Sequence, residues 1–310
     1  MTEQISCFPS AEYHESSSAR YWNDVPYGST RLNLLDICVP KRQPEDASQA
    51  IWLVYIHGGA WRDPLIDRKS FKTALDMLLE DDQPHNIAGF VSVDYRLSPY
   101  PSHPILPSSP SDDSRNSQHP EHLDDILGAL LFLSTEAGRY ILCGHSCGAT
   151  LAMQATALLN GGRRGTRPPV ALLGMEGIYD LNALVAKHSH PAYREFITGA
   201  FGEDEGTWIT ASQLCCELQK WQGNALLIHS INDELVDMQQ TDSAVEKLVI
   251  QGFTRTTAAP SSVKNDGRRV SKIVIDCMHD EVWEQGTELA KAIRSVTDES
   301  WIPNTSSATC

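Results

Sequence analysis

Ser146 lies in the segment 144–148 (Gly-His-Ser-Cys-Gly), with a glycine two positions away on either side. The apolar residues 140–143 before it predict a strand, and those after it predict a helix. A serine on a sharp strand-to-helix turn is held at strained backbone angles, and glycines remove collisions with its neighbours. The pattern predicts that Ser146 is a catalytic nucleophile. The alternative is a glycine-rich turn with an incidental serine.

A nucleophilic serine needs a general base, and His279 is the candidate. The sequence has eleven histidines, and His279 is the only one beyond His229. It follows directly on a predicted strand, 271–277, where the base of such a site is expected after the nucleophile and the acid. Its alternative role is to cap the following helix.

The acid that orients the base should follow the preceding strand, 225–230. Asp233 comes three residues after that strand and is the predicted acid, while Glu234 and Asp237 are close enough to compete. Either competitor could instead cap the helix that starts near residue 238. The acid orients the imidazole and stabilises its charged form without taking the proton.

A second glycine motif, 57–61 (His-Gly-Gly-Ala-Trp), ends another apolar strand. A tetrahedral intermediate needs preorganised donors, and glycines let backbone N–H groups approach its oxygen. The predicted oxyanion hole uses the N–H groups of Gly59, Ala60 and Cys147. On its own, the motif would be read as a turn that ends a strand.

The elements around these residues alternate between strands and helices. The predicted strands are 31–39, 51–57, 87–94, 140–144, 170–176, 225–230 and 271–277. The predicted helices lie near 69–79, 122–136, 147–159, 238–251 and 282–295. Several strands are continuous apolar runs, so the sequence predicts an α/β fold with a mostly parallel central sheet and helices on both faces.

The chain divides into three predicted parts. Residues 1–30 are expected to be an irregular arm, 31–297 the catalytic domain and 298–310 a flexible tail. Two polar stretches, 98–120 and 254–269, are predicted surface loops.

The charge balance is acidic, with 25 Lys and Arg against 40 Asp and Glu, a formal net charge of −15. Such a surface disfavours nucleic-acid and membrane partners. Eight cysteines without paired spacing suit reduced thiols, and no targeting segment is recognised, so we expect a cytoplasmic protein. A homodimer is left open.

Taken together, the segments 57–64, 94–99, 144–150, 229–235 and 279–281 resemble the α/β-hydrolase fold and its hormone-sensitive-lipase-like branch. Within it, the chain is similar to the kynurenine formamidase (arylformamidase) family. The resemblance implies Ser146 as nucleophile, Asp233 and His279 as its partners, and Gly59 and Ala60 as oxyanion donors. The implied reaction is hydrolysis of a linear amide, N-formyl-L-kynurenine, to L-kynurenine and formate, a step of tryptophan degradation toward NAD.

This chemistry needs neither a metal nor an organic cofactor, and its substrate is a small molecule. An aromatic leaving group requires an aromatic cleft, for which Trp61, Tyr95 and Trp283 are the candidate walls; ordinary core packing is the alternative for each. Two other functions stay open: a small-acyl carboxylesterase of the same fold, and a non-catalytic ligand receptor on a hydrolase fold.

Overall fold

The protein is built around one ten-stranded sheet. The computed structural model describes residues 12–80, 86–134, 138–160, 166–215, 217–256, 268–297 and 301–302. The strands are β1 (Glu12–Glu15), β2 (Ala19–Pro26), β3 (Leu34–Pro40), β4 (Ile51–Ile56), β5 (Ile87–Val93), β6 (Tyr140–His145), β7 (Ala171–Met175), β8 (Asn224–Ser230), β9 (Thr254–Thr256) and β10 (Arg269–Ile275). Their spatial order is β1-β2-β3-β5-β4-β6-β7-β8-β10-β9. The seven strands β5, β4, β6, β7, β8, β10 and β9 run parallel to one another. Strands β1, β2 and β3 are antiparallel to their neighbours.

The predicted α/β class with a mostly parallel sheet is therefore confirmed. All seven predicted strands are present, as β3 to β8 and β10. The largest shift is at the start of β3, which was predicted at residue 31 and begins at Leu34.

Helices cover both faces of the sheet. They are α1 (Lys72–Leu79), α2 (Glu121–Leu133), α3 (Cys147–Asn160), α4 (Leu181–Lys187), α5 (Pro191–Phe201), α6 (Glu205–Leu214), α7 (Gln239–Ile250), α8 (Glu281–Glu284) and α9 (Thr287–Thr297). The predicted helices correspond to α1, α2, α3, α7 and the pair α8 and α9. Helices α4 to α6 were not predicted. Helix α4 has seven residues and α6 has little amphipathic pattern, whereas the amphipathic pattern of α5 was overlooked.

Strand β4 shows how the sheet separates two cores. Its residues Trp52 and Val54 pack into a cluster with residues of α2 to α7, whereas Leu53 and Tyr55 pack into a second cluster with α1, α8 and α9. Successive side chains of a strand point to opposite faces, so a strand covered on both sides must be apolar throughout. This explains the continuous apolar runs of the sequence.

The prediction of an irregular arm over residues 1–30 is wrong for the part that the structure describes. Strands β1 and β2 extend the sheet there, and Trp22 and Val25 are buried in the core. The pairing of β2 with β3 shifts register between these two residues, so the buried positions do not alternate and the strand pattern is hidden. Residues 1–11 lie outside the described residues.

The carboxyl-terminal tail is also ordered where it is described. Trp301 and Ile302 are buried in the second core, and the side-chain amide of Asn224 donates to the Trp301 carbonyl. The flexible tail predicted for 298–310 is therefore wrong at these two residues, and the remainder lies outside the described residues. Of the two predicted loops, 98–120 contains one short 3-10 turn, Asp113–Arg115. In the other, Thr254–Thr256 forms β9, and 257–267 are not described.

Candidate active site

Ser146 occupies the tight turn between β6 and α3. Its φ is 53°, in the left-handed region that non-glycine residues seldom adopt, and its N–H donates to the Met175 carbonyl at 2.9 Å. A Cβ atom on Gly148 would lie 2.2 Å from the carbonyl oxygen of Ile56. The helix that follows Ser146 therefore approaches the end of β4 at a distance that only glycine permits.

His279 and Asp233 meet at the carboxyl ends of neighbouring parallel strands, β10 and β8. Nδ1 of His279 lies 2.9 Å from Oδ2 of Asp233. The other carboxylate oxygen, Oδ1, accepts the N–H groups of Leu235 and Val236 at 2.9 and 2.8 Å. With Nδ1 directed to Asp233, the ring nitrogen left for other partners is Nε2.

The competing acids lie elsewhere. Oδ2 of Asp237 is 3.7 Å from Nε2 of His188, and no ion pair joins it to His279 among the described residues. Glu234 accepts the backbone N–H of His279 at 3.1 Å, which supports the chain rather than the ring. The structure thus brings Asp233 to the imidazole and leaves Asp237 away from it.

The glycine motif after β4 forms a tight loop beside Ser146. Gly59, Ala60 and Trp61 have φ values of 91°, 50° and 58°, and the Gly59 carbonyl accepts the N–H groups of Arg62 and Asp63, both at 2.9 Å. A Cβ atom on Gly58 would lie 3.1 Å from the Ser146 Cβ, so this loop and the nucleophile turn are in close contact. Gly59 and Ala60 of this loop and Ser146, which precedes α3, line the same cavity.

The two side chains that flank Ser146 are buried and directed elsewhere. The Cys147 thiol accepts the Trp61 N–H at 3.2 Å, and burial raises the pKa of this thiol to about 11. It therefore stays protonated near neutral pH and does not compete as a nucleophile. Burial, with His279 nearby, holds the pKa of His145 well below its usual range, so this imidazole is neutral.

A further acidic residue that sequence reasoning missed, Glu176, lies at the centre of this network. It directly follows β7, between the strands that carry Ser146 and Asp233, and its side chain is 0% exposed. Its Oε2 lies 3.5 Å from Nδ1 of His279 and 3.4 Å from Nε2 of His145. Burial and the neighbouring Asp233 raise the pKa of Glu176 to about 10. Glu176 could have been found from its position at the end of β7, the strand next to β6, which precedes Ser146. That neighbourhood is known only once the strand order is known.

His145, Glu176 and His279 also form the one group in the described residues whose ligating atoms come within 4.8 Å of one another, as a metal site would require. Their contacts have another explanation. Nδ1 of His279 is bonded to Asp233, and Nε2 of His145 lies 3.2 Å from the His279 carbonyl oxygen. We interpret the group as a buried polar support for the His279 ring.

Ser146 and His279 line one cavity of about 460 Å³. Gly59 and Ala60 border it as well, so the structure brings four of the predicted site residues to one space. Apolar and aromatic side chains from α4, α5 and the loops after β7 and β8 form much of the remaining wall: Ile178, Leu184, Ala192, Tyr193, Phe196, Leu235 and Val236. Further lining residues, most of them polar, are Arg62, Asp63, Ile66, Tyr100, His190 and Asp280.

The three predicted aromatic walls are not among the residues that line this cavity. Trp61 is wholly buried and packs edge-on against Phe201, with ring centroids 5.0 Å apart. Tyr95 is equally buried and donates its hydroxyl to the His57 carbonyl at 3.1 Å. The Trp283 indole donates to Oδ1 of Asp280 at 3.0 Å. These predictions were wrong, because the first two side chains support the glycine loop from behind.

Comparisons with known proteins identify relatives of this chain. No family model matches the chain. A kynurenine formamidase-like hydrolase of Fusarium equiseti is 33% identical over 304 residues, which cover 94% of this chain and 93% of that protein. A kynurenine formamidase of Aspergillus versicolor is 37% identical over 253 residues, covering 71% and 84%. The chain belongs to the kynurenine formamidase family. The Saccharomyces cerevisiae member of this family is more distant, at 26% identity over 214 residues, covering 63% and 75%.

Solved structures place this member of the kynurenine formamidase family in the α/β-hydrolase fold. An esterase B from Lactobacillus rhamnosis matches with a TM-score of 0.64 and 14% identity, over 93% of this chain and 89% of that one. A hyperthermophilic esterase from Pyrobaculum calidifontis matches with a TM-score of 0.61 and 14% identity, over 95% and 87%. The predicted fold and family resemblance are both confirmed.

Proposed function

We propose that this chain hydrolyses N-formyl-L-kynurenine to L-kynurenine and formate, with Ser146 as nucleophile, His279 as general base and Asp233 as the acid that orients it. The observation that carries the proposal is the 2.9 Å contact between His279 and Asp233 at the cavity that Ser146 also lines. Membership of the kynurenine formamidase family supports the substrate.

In the first step, Oγ of Ser146 attacks the formyl carbon while Nε2 of His279 takes the hydroxyl proton. The carbonyl electron pair moves to the oxygen, and the backbone N–H groups of Gly59, Ala60 and Cys147 bind the resulting oxyanion. Such donors are worth roughly 3–4 kcal/mol each in the transition state. Asp233 remains ionised and stabilises the imidazolium.

In the second step, the carbon–nitrogen bond breaks with its electron pair going to nitrogen, and His279 protonates that nitrogen. L-Kynurenine leaves with a neutral aromatic amine, and the formyl group remains as an ester on Ser146. A water molecule then attacks the ester and gives its proton to His279, which returns a proton to Oγ as formic acid leaves and ionises. These steps use only side chains and backbone groups of this chain.

The cavity wall offers a partner for each end of the substrate. Tyr100, Tyr193 and Phe196 supply aromatic surface for its ring. Arg62 supplies a cation for its carboxylate: it is 7% exposed, and its guanidinium carbon lies 3.9 Å from the centre of the Tyr100 ring. Its one ion pair in the described residues is to Glu195, whose side chain is 55% exposed and stays hydrated. We propose that the remaining guanidinium donors bind the substrate carboxylate.

A carboxylesterase is the nearest alternative, because the solved structures of similar fold are esterases and the same groups would cleave an ester. The ratio of kcat/KM for N-formyl-L-kynurenine to that for p-nitrophenyl acetate separates the two. We expect a ratio above about 100, since a cavity that pairs the substrate's polar groups discriminates strongly. A ratio below one would favour the esterase.

A non-catalytic receptor on this fold is the alternative from another class. A fluorophosphonate probe reacts only with an activated serine, so an active hydrolase is labelled. We expect labelling that maps to the peptide containing Ser146. An unlabelled wild-type protein would favour the receptor.

We further propose a cytoplasmic location. In support, Cys38, Cys143, Cys147 and Cys277 of the described residues are free thiols, and the first three are buried. Within the same residues, no helix has the length and apolar character that crossing a bilayer requires.

The net charge of −15 supports the expectation that nucleic acid is not a partner. A homodimer stays a prediction, which light scattering checks.

A further inference from the structure

We propose that Glu176 is a second carboxyl group for His279, one that remains neutral while Asp233 is ionised and replaces Asp233 when that charge is removed. The inference rests on the proposed role of His279 as the general base. It makes Glu176 a positioning residue, because it acts through the imidazole and does not line the cavity.

The two carboxyl groups face the same nitrogen. Nδ1 of His279 lies 2.9 Å from Oδ2 of Asp233 and 3.5 Å from Oε2 of Glu176. The strand order explains the convergence, since Glu176 follows β7, which lies between the strand of Ser146 and the strand before Asp233. A small change in the ring's orientation would bring Oε2 within ordinary hydrogen-bond distance of Nδ1.

Hydrogen bonding decides which of the two groups carries the charge. Asp233 accepts the N–H groups of Leu235 and Val236 in addition to the His279 ring. Neither oxygen of Glu176 accepts a hydrogen bond of ordinary geometry from the described residues. The buried carboxylate with fewer donors is the more costly one, so the charge resides on Asp233 and Glu176 retains its proton.

The surrounding charges act in the same direction. Asp233 raises the pKa of Glu176 more than the Ser230 backbone lowers it, and Glu234 and Asp280 each add a smaller increase. His145, which packs on the other side, is neutral and supplies no positive charge. Removing the Asp233 charge takes away the largest of the charge effects that keep Glu176 protonated. Burial, which raises the pKa of Glu176 most, remains, so the proposal requires that the positive charge formed on His279 during turnover, 3.5 Å from Oε2, lets Glu176 ionise and stabilise the imidazolium.

The test is a double-mutant cycle of wild type, Asp233→Asn, Glu176→Gln and the double variant, with kcat measured for N-formyl-L-kynurenine. We expect Glu176→Gln alone to lower kcat by less than about tenfold, since it replaces one neutral group by another. In the Asp233→Asn background, we expect the same substitution to lower kcat by a further tenfold or more, towards the roughly 10⁴ loss typical of a site without its acid. Equal effects of Glu176→Gln in both backgrounds would overturn the proposal.

The pH profile separates this role from a merely structural one. In Asp233→Asn, activity requires both an ionised Glu176 and a neutral His279, so kcat/KM should fall more steeply towards low pH than in the double variant. Acidic limbs of the pH profile that are equally steep in the two variants would contradict the proposal.

If the double variant does not fold, Asp233→Asn with Glu176→Asp replaces it, because the shorter carboxyl cannot reach Nδ1. This pair should show the same further loss of kcat, and equal kcat in Asp233→Asn with and without Glu176→Asp would likewise contradict the proposal.

The cycle can fail without the proposed function failing. Rates of fluorophosphonate labelling report the Ser146–His279 pair without using the formamide substrate. Additive effects on labelling in an enzyme that turns over N-formyl-L-kynurenine would reject the role of Glu176 alone. Labelling without turnover of that substrate would reject the substrate alone.

Discussion

Oδ2 of Asp233 lies 2.9 Å from Nδ1 of His279, although 46 positions separate the two residues in the sequence. The parallel pairing of β8 with β10 brings the loops after these strands together. The contact fixes the imidazole, and with it the tautomer that leaves Nε2 free to accept a proton. Several expected outcomes depend on it.

Asp233→Asn should lower kcat at least ~100-fold, because the ring loses its charged partner. Glu176 keeps the loss below that of a site with no remaining carboxyl. The matched control is Asp237→Asn in the same loop, which should remain within about threefold of wild type because Asp237 contacts His188 and not His279. Steady-state kinetics of the two variants give the ranking, and the reverse order would move the acid to position 237.

Arg62→Gln should raise KM for N-formyl-L-kynurenine by about tenfold or more, which corresponds to about 1.4 kcal/mol of lost binding. The change for formanilide should be small, because this neutral formamide has no carboxylate to bind. Arg194→Gln is the matched control, since Arg194 is on α5, pairs with Glu205 and does not line the cavity. An equal loss for both substrates would show that Arg62 does not recognise the carboxylate.

Gly148→Ala should destabilise the fold by about 1–3 kcal/mol and lower activity, because its Cβ would lie 2.2 Å from a backbone oxygen of β4. Gly128→Ala in α2 is the control with room for a side chain. Its Cβ atom would lie 3.9 Å from the nearest neighbouring atom, and its backbone is helical. It should stabilise the protein by about 0.5–1 kcal/mol. Urea unfolding measures both. An unchanged free energy of unfolding in Gly148→Ala would mean that α3 can move away from β4.

The stability of the wild-type protein relative to Glu176→Gln should fall as the pH rises. Glu176 has a pKa of about 10 when folded, against an ordinary value of 4.5. Between these values only the unfolded state gives up the proton, so rising pH favours unfolding of the wild type, and glutamine has no such dependence. Urea unfolding at about pH 5, 7 and 9 gives the difference. A difference that does not change with pH would mean that Glu176 is ionised in the folded protein.

The residues at strand ends were predictable from the sequence, because local signals mark them. Ser146 lies between two glycines where a strand ends and a helix begins. Asp233 and His279 each follow an apolar strand, so a parallel sheet had to bring them to the same edge. The roles remain proposals, but the placement of these residues followed from one-dimensional patterns.

Glu176 and the cavity wall were not predictable in the same way. Glu176 ends a strand like any core residue, and its proximity to His279 depends on β7 lying between β6 and β8. Phe196 lies on α5, an amphipathic helix of 11 residues that was overlooked, and its pattern does not show that this side chain reaches the cavity. Trp61 was wrongly assigned to the wall, since the sequence next to a glycine loop does not show which way the side chain points.

The turnover of N-formyl-L-kynurenine by Ser146→Ala tests the central claim most directly. We expect kcat to fall by ~10⁶, as when a triad nucleophile is removed, with an unchanged circular dichroism spectrum. Ser111→Ala, which removes an exposed hydroxyl from the long loop, should behave as wild type. A folded Ser146→Ala variant with kcat within about tenfold of wild type would contradict the account.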